Sequence, residues 1–302
     1  MSARFRVIAL VVLVALGLGL LLYPTAANWF AVRDESSQVT GYESVVDAMP
    51  GPEAKAMLAA AEAYDARLNS GHTGTPEQDW ADYNTQLAPQ PGDVMAELTI
   101  PSLELTLPVY HGADEDSLQR GVGHLFGSDL PVGGKGNHAV LSGHSGLVDK
   151  ELFTHLQDVK RGDLFEIEVA GRKLVYRVDQ ISVVTPADNT LLQPVPGKDY
   201  VTLLTCTPTG INSHRLLVRG ERVDPVPQDD LNAVIAGRHT HAGFPWWAVW
   251  FAAGTGGSYV LARWLVGPPR RRRQSSPDAQ ATETSAADAP AQEVADGPIV
   301  DR

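Results

Sequence analysis

The sequence predicts a mainly β fold: a closed β-barrel with short helices, preceded by N-terminal helices and flanked by two transmembrane helices. Three observations predict it. Short β-rich runs crowd between residues 94 and 223, an uncharged apolar run opens the chain, and a second apolar segment is followed at once by Arg270 to Arg273.

Residues 1–30 hold a short cytoplasmic start and the first span. After Arg4 and Arg6, "VIALVVLVALGLGLLLYP" carries no charge from Val7 to Pro24, and "TAANWF" extends it to the roughly 20 residues that cross a bilayer as a helix. The run is longer than a signal-peptide core of about 7–15 residues, so a retained anchor is expected. Trp29 and Phe30 suit the interface. Residues 31–71 are expected to be extracellular and helical: within 52–68, Met57, Leu58, Ala61, Tyr64 and Leu68 share one stripe, Pro52 stands near the start, and Asn69, Ser70 and Gly71 stop it. Residues 72–92, "HTGTPEQDWADYNTQLAPQPG", read as a polar loop punctuated by Gly and Pro, long enough to call for a functional or disordered role.

Residues 93–225 form the expected barrel. "VMAELTI", "NHAVLS", "LFEIEVAGRKLVYRVDQISVV", "YVTLLT" and "RLLVRGERV" read as strands, the third being a hairpin that turns around Ala170, Gly171 and Arg172. "KELFTHL" at 150–156 is the one helical candidate among them. A domain of this size holds a core without disulfides. Residues 226–243 are a linker and 244–267 the second span, in which Arg263 is close enough to the end to snorkel. Residues 268–302 carry the basic cluster and a tail rich in Ala, Asp, Pro, Ser and Thr, without aromatics, which reads as disordered. The positive-inside rule puts both termini in the cytoplasm and the barrel outside, in a two-span protein of the cell membrane. A net charge of −12 argues against nucleic acid as a partner.

The chain has one cysteine, so Cys206 forms no internal disulfide, and no thiol cluster suggests a metal centre. It is either a small buried residue or a reactive thiol. Cys206 falls where an apolar strand ends, just before "TPTG", and Arg215 opens the next strand after a loop short enough to bring the two side by side. A guanidinium there can favour the thiolate and donate hydrogen bonds to an oxyanion. A cysteine nucleophile also needs a general acid. Of nine histidines, His144 stands out, because "NHAVLSGHSG" ends a strand in a Gly-flanked turn. His138 begins the same strand, His155 lies on the helical candidate, and His72, His239 and His241 lie in polar segments. His214 adjoins Arg215, and His111 and His124 stay open on pattern alone.

"VLSGHSG" together with "TLLTCTPTGINSHRLLVRGER" resembles the sortases, the cysteine transpeptidases of Gram-positive bacteria. The likeness runs over roughly residues 94–223, and "LPVYHGADEDSLQRGVGHLFGSDLPVGG" strengthens it. It implies a sortase-like barrel with Cys206 as nucleophile, His144 as general acid/base and Arg215 as oxyanion stabiliser, and neither cofactor nor metal. Ser142 stands where the family often has threonine, and Ser145 where it often has arginine. The implied reaction opens the Thr–Gly bond of an LPxTG-like sorting signal through a thioester, which an amine then resolves.

Two features resemble class C, the pilus-assembling sortases: the second membrane segment, and a pre-barrel loop that would act as a lid. In "EQDWADY" the lid pair would be Asp79, bound to Arg215, and Trp80, over the Cys206 sulfur, without the proline usual between them; Asp82 and Tyr83 compete for the role. The implied partners are a pilin or surface-protein sorting signal, a pilin lysine as acceptor, and the bilayer. A housekeeping sortase that uses a cell-wall precursor amine is the alternative within the family. A non-catalytic surface or pilus accessory protein with an inert Cys206 is the alternative outside it.

Overall fold

The computed structural model describes residues 3–71, 74–89, 94–238 and 242–266. His72, His239, His241, the Arg270 to Arg273 cluster and the tail lie outside the described residues.

The chain opens with helix α1 (Ala3–Ala48), which continues through Pro24 well past the apolar run. Its final turns pack on the barrel: Tyr42, Val46, Val94 and Tyr110 form a small cluster, and the Tyr42 hydroxyl donates to the Met95 carbonyl at 3.2 Å while accepting from Ala170 N–H at 3.0 Å. Helix α2 (Gly51–Asn69) starts with proline in its first turn, where the missing N–H is harmless. It buries Leu58, Ala61 and Tyr64, three residues of the expected stripe. Burying a side chain of the size of Leu58 contributes about 1.5–3 kcal/mol.

Residues 76–83 are the first departure from the expected loop. They form helix α3 (Pro76–Tyr83), for which the local signal is complete: Thr75 and Gln78 make a reciprocal capping box, and proline leads the first turn. The Gly and Pro on either side bracket this helix and do not make the whole stretch irregular.

The barrel follows as β1 (Ala96–Ile100), β2 (Leu105–His111), α4 (Glu115–Arg120), β3 (Val122–His124), β4 (Asn137–Ser142), β5 (Leu164–Val169), β6 (Arg172–Val184), β7 (Asp199–Thr207) and β8 (His214–Arg222). The sheet closes in the order β1-β2-β3-β4-β7-β8-β6-β5. Pairing is antiparallel except for β2 with β3 and β4 with β7, which are parallel. The closed barrel is therefore mixed, and the expected hairpin turns at Ala170 and Gly171. Strands β2 and β3 were not among the runs picked out by composition: β2 contains Pro108, and β3 is only three residues long. Leu98, Ile100, Leu107, Leu141, Phe165, Tyr176, Leu203 and Val218 fill the interior.

The helix expected over "KELFTHL" is absent. Leu152 takes a φ of +38°, and Phe153 N–H donates to the His144 carbonyl at 3.0 Å, so the stretch folds as turns that end in a 3-10 turn at Leu156–Asp158. Leu152, Phe153 and Leu156 all enter the core from these turns. The helix on this side is α4, capped by Asp114, whose carboxylate accepts from Ser117 N–H at 3.0 Å.

After the barrel come α5 (Gln228–Ala236) and α6 (Trp246–Val266). Between them Arg238 is clasped by Glu43, Glu97, Glu166 and Glu168, tying the exit of the barrel to α1. Helix α6 runs back along α1. The Trp29 indole donates to Gly243 O at 2.7 Å, Trp247 contacts Phe30, and a methyl group at Gly254 would lie 2.6 Å from Leu18 Cδ1. Among the described helices, one, within Arg4–Ala48, is long and apolar enough to cross a membrane. The second span expected over 244–267 falls short of that standard, since its glycines and Arg263 dilute its apolar character.

Candidate active site

Strands β7 and β8 pair so that Cys206 lies directly opposite Arg215, with Thr207 opposite His214. Side chains alternate across a sheet, so Cys206 and Arg215 share one face and His214 points to the other. On the opposite side of β7, β4 runs parallel and its last pair is Ser142 with Leu204. The chain continues from there into His144.

Several contacts hold this turn to β7. Gly143 N–H donates to Leu204 O at 3.0 Å, the Thr205 hydroxyl donates to Gly143 O at 2.7 Å, and the Ser145 hydroxyl donates to Cys206 O at 2.8 Å. Both glycines of the turn are required. A Cβ on Gly143 would lie 2.6 Å from the buried Phe153 ring, and Gly146 has φ +75° with a Cβ position 2.4 Å from Thr209 Cγ2. The histidine turn is thus packed against the loop that follows Cys206.

His144, Cys206 and Arg215 all line one cleft of about 480 Å³, walled by Leu118, Leu125, Val184, Leu192 and Leu217. Cys206 is a free thiol, half-buried. Arg215 Nη1 donates to the carbonyls of Asn212 at 3.2 Å and His214 at 3.1 Å. These bonds fix the guanidinium and leave Nε and Nη2 without a protein partner among the described residues. Nε2 of His144 is buried and 3.4 Å from Glu115 Oε2. Such a cleft presents a thiol, a proton carrier and a planar donor to one carbonyl group. No group of residues suited to a metal ion occurs among the described residues.

The structure separates the histidines that pattern left open. His124 is fully buried, its Nε2 donating to Asp129 O at 2.7 Å and its Nδ1 accepting from Tyr83 at 2.8 Å; burial pushes it down to about 4. His111 is also pushed down by burial, with Nε2 bonded to Gln86 O at 2.6 Å. His138 is bonded at both nitrogens, to Gln193 O and the Thr202 hydroxyl. His155 pairs with Asp158 in solvent, and His214 contacts Ser213. Among the described histidines only His144 lines the cleft.

The lid contacts expected of Asp79 and Trp80 are not formed. Asp79 accepts from Gly74 N–H at 2.7 Å, and no ion pair joins it to Arg215 among the described residues. Trp80 packs on Tyr83 and Phe126, with ring centroids 5.4 and 5.1 Å away. The competing pair is elsewhere too: Asp82 binds Arg67, and Tyr83 is buried over His124. None of α3 lines the cleft. The capping box satisfies α3 locally, and its aromatic residues find an apolar well beside β3, so neither is left to reach for the thiol. Glu115, which does reach His144, escaped the sequence reading because α4 is only six residues long.

The sortase domain model matches residues 98–223. The structure is similar to a lid mutant of sortase A from Corynebacterium diphtheriae, with 44% identity and a TM-score of 0.56 over 61% of this chain and 100% of that one. It is similar to sortase C1 from Streptococcus agalactiae, with 41% identity and a TM-score of 0.59 over 62% of this chain and 98% of that one. A third likeness is to sortase C from Clostridium perfringens solved with the C-terminal cell wall sorting motif, at 39% identity and a TM-score of 0.56 over 62% and 98% of the two chains. The chain spans between 47% and 81% of the length of the curated relatives it matches. These include sortase SrtE1 from Streptomyces coelicolor, 31% identical over 168 residues, which are 50% of this chain and 47% of that protein.

Proposed function

The chain belongs to the sortase family, and from that premise we propose that it is a membrane-anchored cysteine transpeptidase acting on an LPxTG-like sorting signal. The observation that carries the reading is the direct cross-strand pairing of Cys206 with Arg215 in a cleft shared with His144.

The Cys206 thiolate attacks the carbonyl carbon of the Thr–Gly bond, and the carbonyl oxygen takes the negative charge. Arg215 donates to that oxygen through the N–H groups its loop leaves free. As the intermediate collapses, the C–N bond breaks and His144 gives its proton to the departing glycine amine, leaving a thioester. An acceptor amine then attacks the thioester carbon and loses a proton to His144, and the thiolate leaves as the new amide forms.

We assign the acceptor as a pilin lysine, so that the product is an isopeptide-linked polymer. Similarity to sortase C structures and the antiparallel packing of α6 on α1 support this assignment. The same packing supports a two-span topology with the barrel outside and both termini in the cytoplasm. Anchoring to a cell-wall precursor amine is the second reading, favoured by the likeness to a sortase A of similar identity. Incubating the full chain in detergent with candidate pilins and resolving the products on a denaturing gel separates them. A ladder that disappears in Cys206→Ala supports polymerisation. Single-step coupling to an aminated precursor without a ladder supports the second reading, and no cleavage of any LPxTG peptide refutes both.

A further inference from the structure

Behind His144, outside the lining of the cleft, stands a charged group that the three-residue reaction does not use. Nε2 of His144 is buried without a hydrogen-bond partner, and the carboxylate oxygen facing it is Glu115 Oε2, at 3.4 Å. Nδ1 of the same ring has no hydrogen-bond partner among the described residues, and His144 lines the cleft. Glu115 itself is 69% exposed, yet it is braced. The Gln119 amide donates to its other oxygen at 2.6 Å, the Lys150 ammonium bonds the Gln119 carbonyl, and Ser117 ties α4 to His111 O at 2.7 Å. Gln119 first, and His144 after it, holds the Glu115 carboxyl below its usual range.

We propose that Glu115 is a positioning residue for His144, accepting from Nε2–H so that the Nδ1 lone pair faces the cleft. This rests on the reading of His144 as the proton carrier. A base whose ring can turn, or whose proton can sit on either nitrogen, spends part of its time in the wrong state. A carboxylate on the far nitrogen removes that state and also favours the imidazolium formed when His144 takes a proton. At 3.4 Å the contact is looser than a hydrogen bond, and such contacts tighten once substrate is bound. Asp116, one residue along the same turn, is exposed and has no part in the contact.

The test uses the full chain in detergent with 15N-labelled histidine, the His144 resonance being assigned by its loss in His144→Asn. In the wild type the proton is expected on Nε2. In Glu115→Ala the two tautomers should mix, with kcat for an LPxTG peptide about tenfold lower and KM within about twofold. Glu115→Gln keeps an acceptor oxygen, so it should keep the Nε2–H tautomer and lose only about threefold. Asp116→Ala should match the wild type in both measurements. An unchanged tautomer in Glu115→Ala overturns the proposal even if activity falls, because the loss would then be structural; an equal loss in Asp116→Ala overturns it as well. If the wild type cleaves no peptide, the transpeptidase reading fails, while the tautomer measurement still decides the contact between Glu115 and His144.

Discussion

Gly143→Ala adds one methyl group at the hinge of the histidine turn. Gly143 is not one of the glycines with positive φ, so alanine meets no backbone penalty there, and the whole effect comes from space. The new Cβ would lie 2.6 Å from Phe153 Cδ2 and 2.8 Å from Cγ, well inside contact distance. Phe153 is fully buried and cannot swing away. Gly143 cannot retreat either, since its N–H and its carbonyl are both bonded to β7. Something must shift by several tenths of an ångström or more. Overpacking of this kind costs about 1–3 kcal/mol, a fall in Tm on the order of 5 °C for a domain of this size. The catalytic consequence is larger: displacing His144 by about 1 Å costs on the order of 100-fold in turnover. Peptide cleavage and thermal unfolding of Gly143→Ala measure both. The double variant with Phe153→Leu removes the ring atoms in the way, so part of the lost activity should return, with a coupling energy of about 1 kcal/mol or more. Wild-type turnover and Tm in the single variant, or strict additivity in the double, would refute the reasoning.

Cys206→Ala and His144→Ala should each abolish transpeptidation with the Tm within a few degrees of wild type, because both line an open cleft; near-normal product from either ends the assignment. Arg215→Lys should lose at least about 100-fold in kcat, since a point charge does not reproduce two N–H groups aimed at one oxyanion, and wild-type turnover would make Arg215 structural. Replacing Asp79 and Trp80 by glycine should leave iodoacetamide labelling of Cys206 unchanged, because neither residue touches the cleft; labelling that accelerates severalfold would show that the pair guards the thiol. Stability should fall as pH rises from 6.5 to 8. Burial lifts Asp65 to about 8, so its contribution is fully present below its unfolded value near 3.8 and is lost as pH rises through the folded value. Burial lowers His124 to about 4, so its contribution is lost as pH falls below 6.5, and the two oppose each other only at lower pH. At roughly 1.4 kcal/mol per unit the fall is about 2 kcal/mol. Denaturant titrations should show it in the wild type and a flatter profile in Asp65→Asn, and a flat wild-type profile would refute it.

The sequence by itself determined the apolar N-terminal run, the α2 stripe, five of the strand runs and the juxtaposition of Cys206 with Arg215. Each of these is a local or pairwise signal. An uncharged run is readable from composition, alternation marks a half-buried strand, and a short loop between two strands forces Cys206 and Arg215 together. What only the tertiary structure decided depends on contacts between distant segments. The parallel pairing of β4 with β7 joins residues about 60 apart in sequence and brings His144 to Cys206. Composition cannot distinguish His144 from His124, because the difference is burial: one lines the cleft, and the other is enclosed by Tyr83 and Asp129. The same holds for "EQDWADY", whose residues suit a lid as well as a capped helix until Phe126 and Tyr83 supply a nearer well for Trp80. Glu115 gave no signal at all, since an exposed acidic residue gains meaning only from the imidazole that the fold places 3.4 Å away.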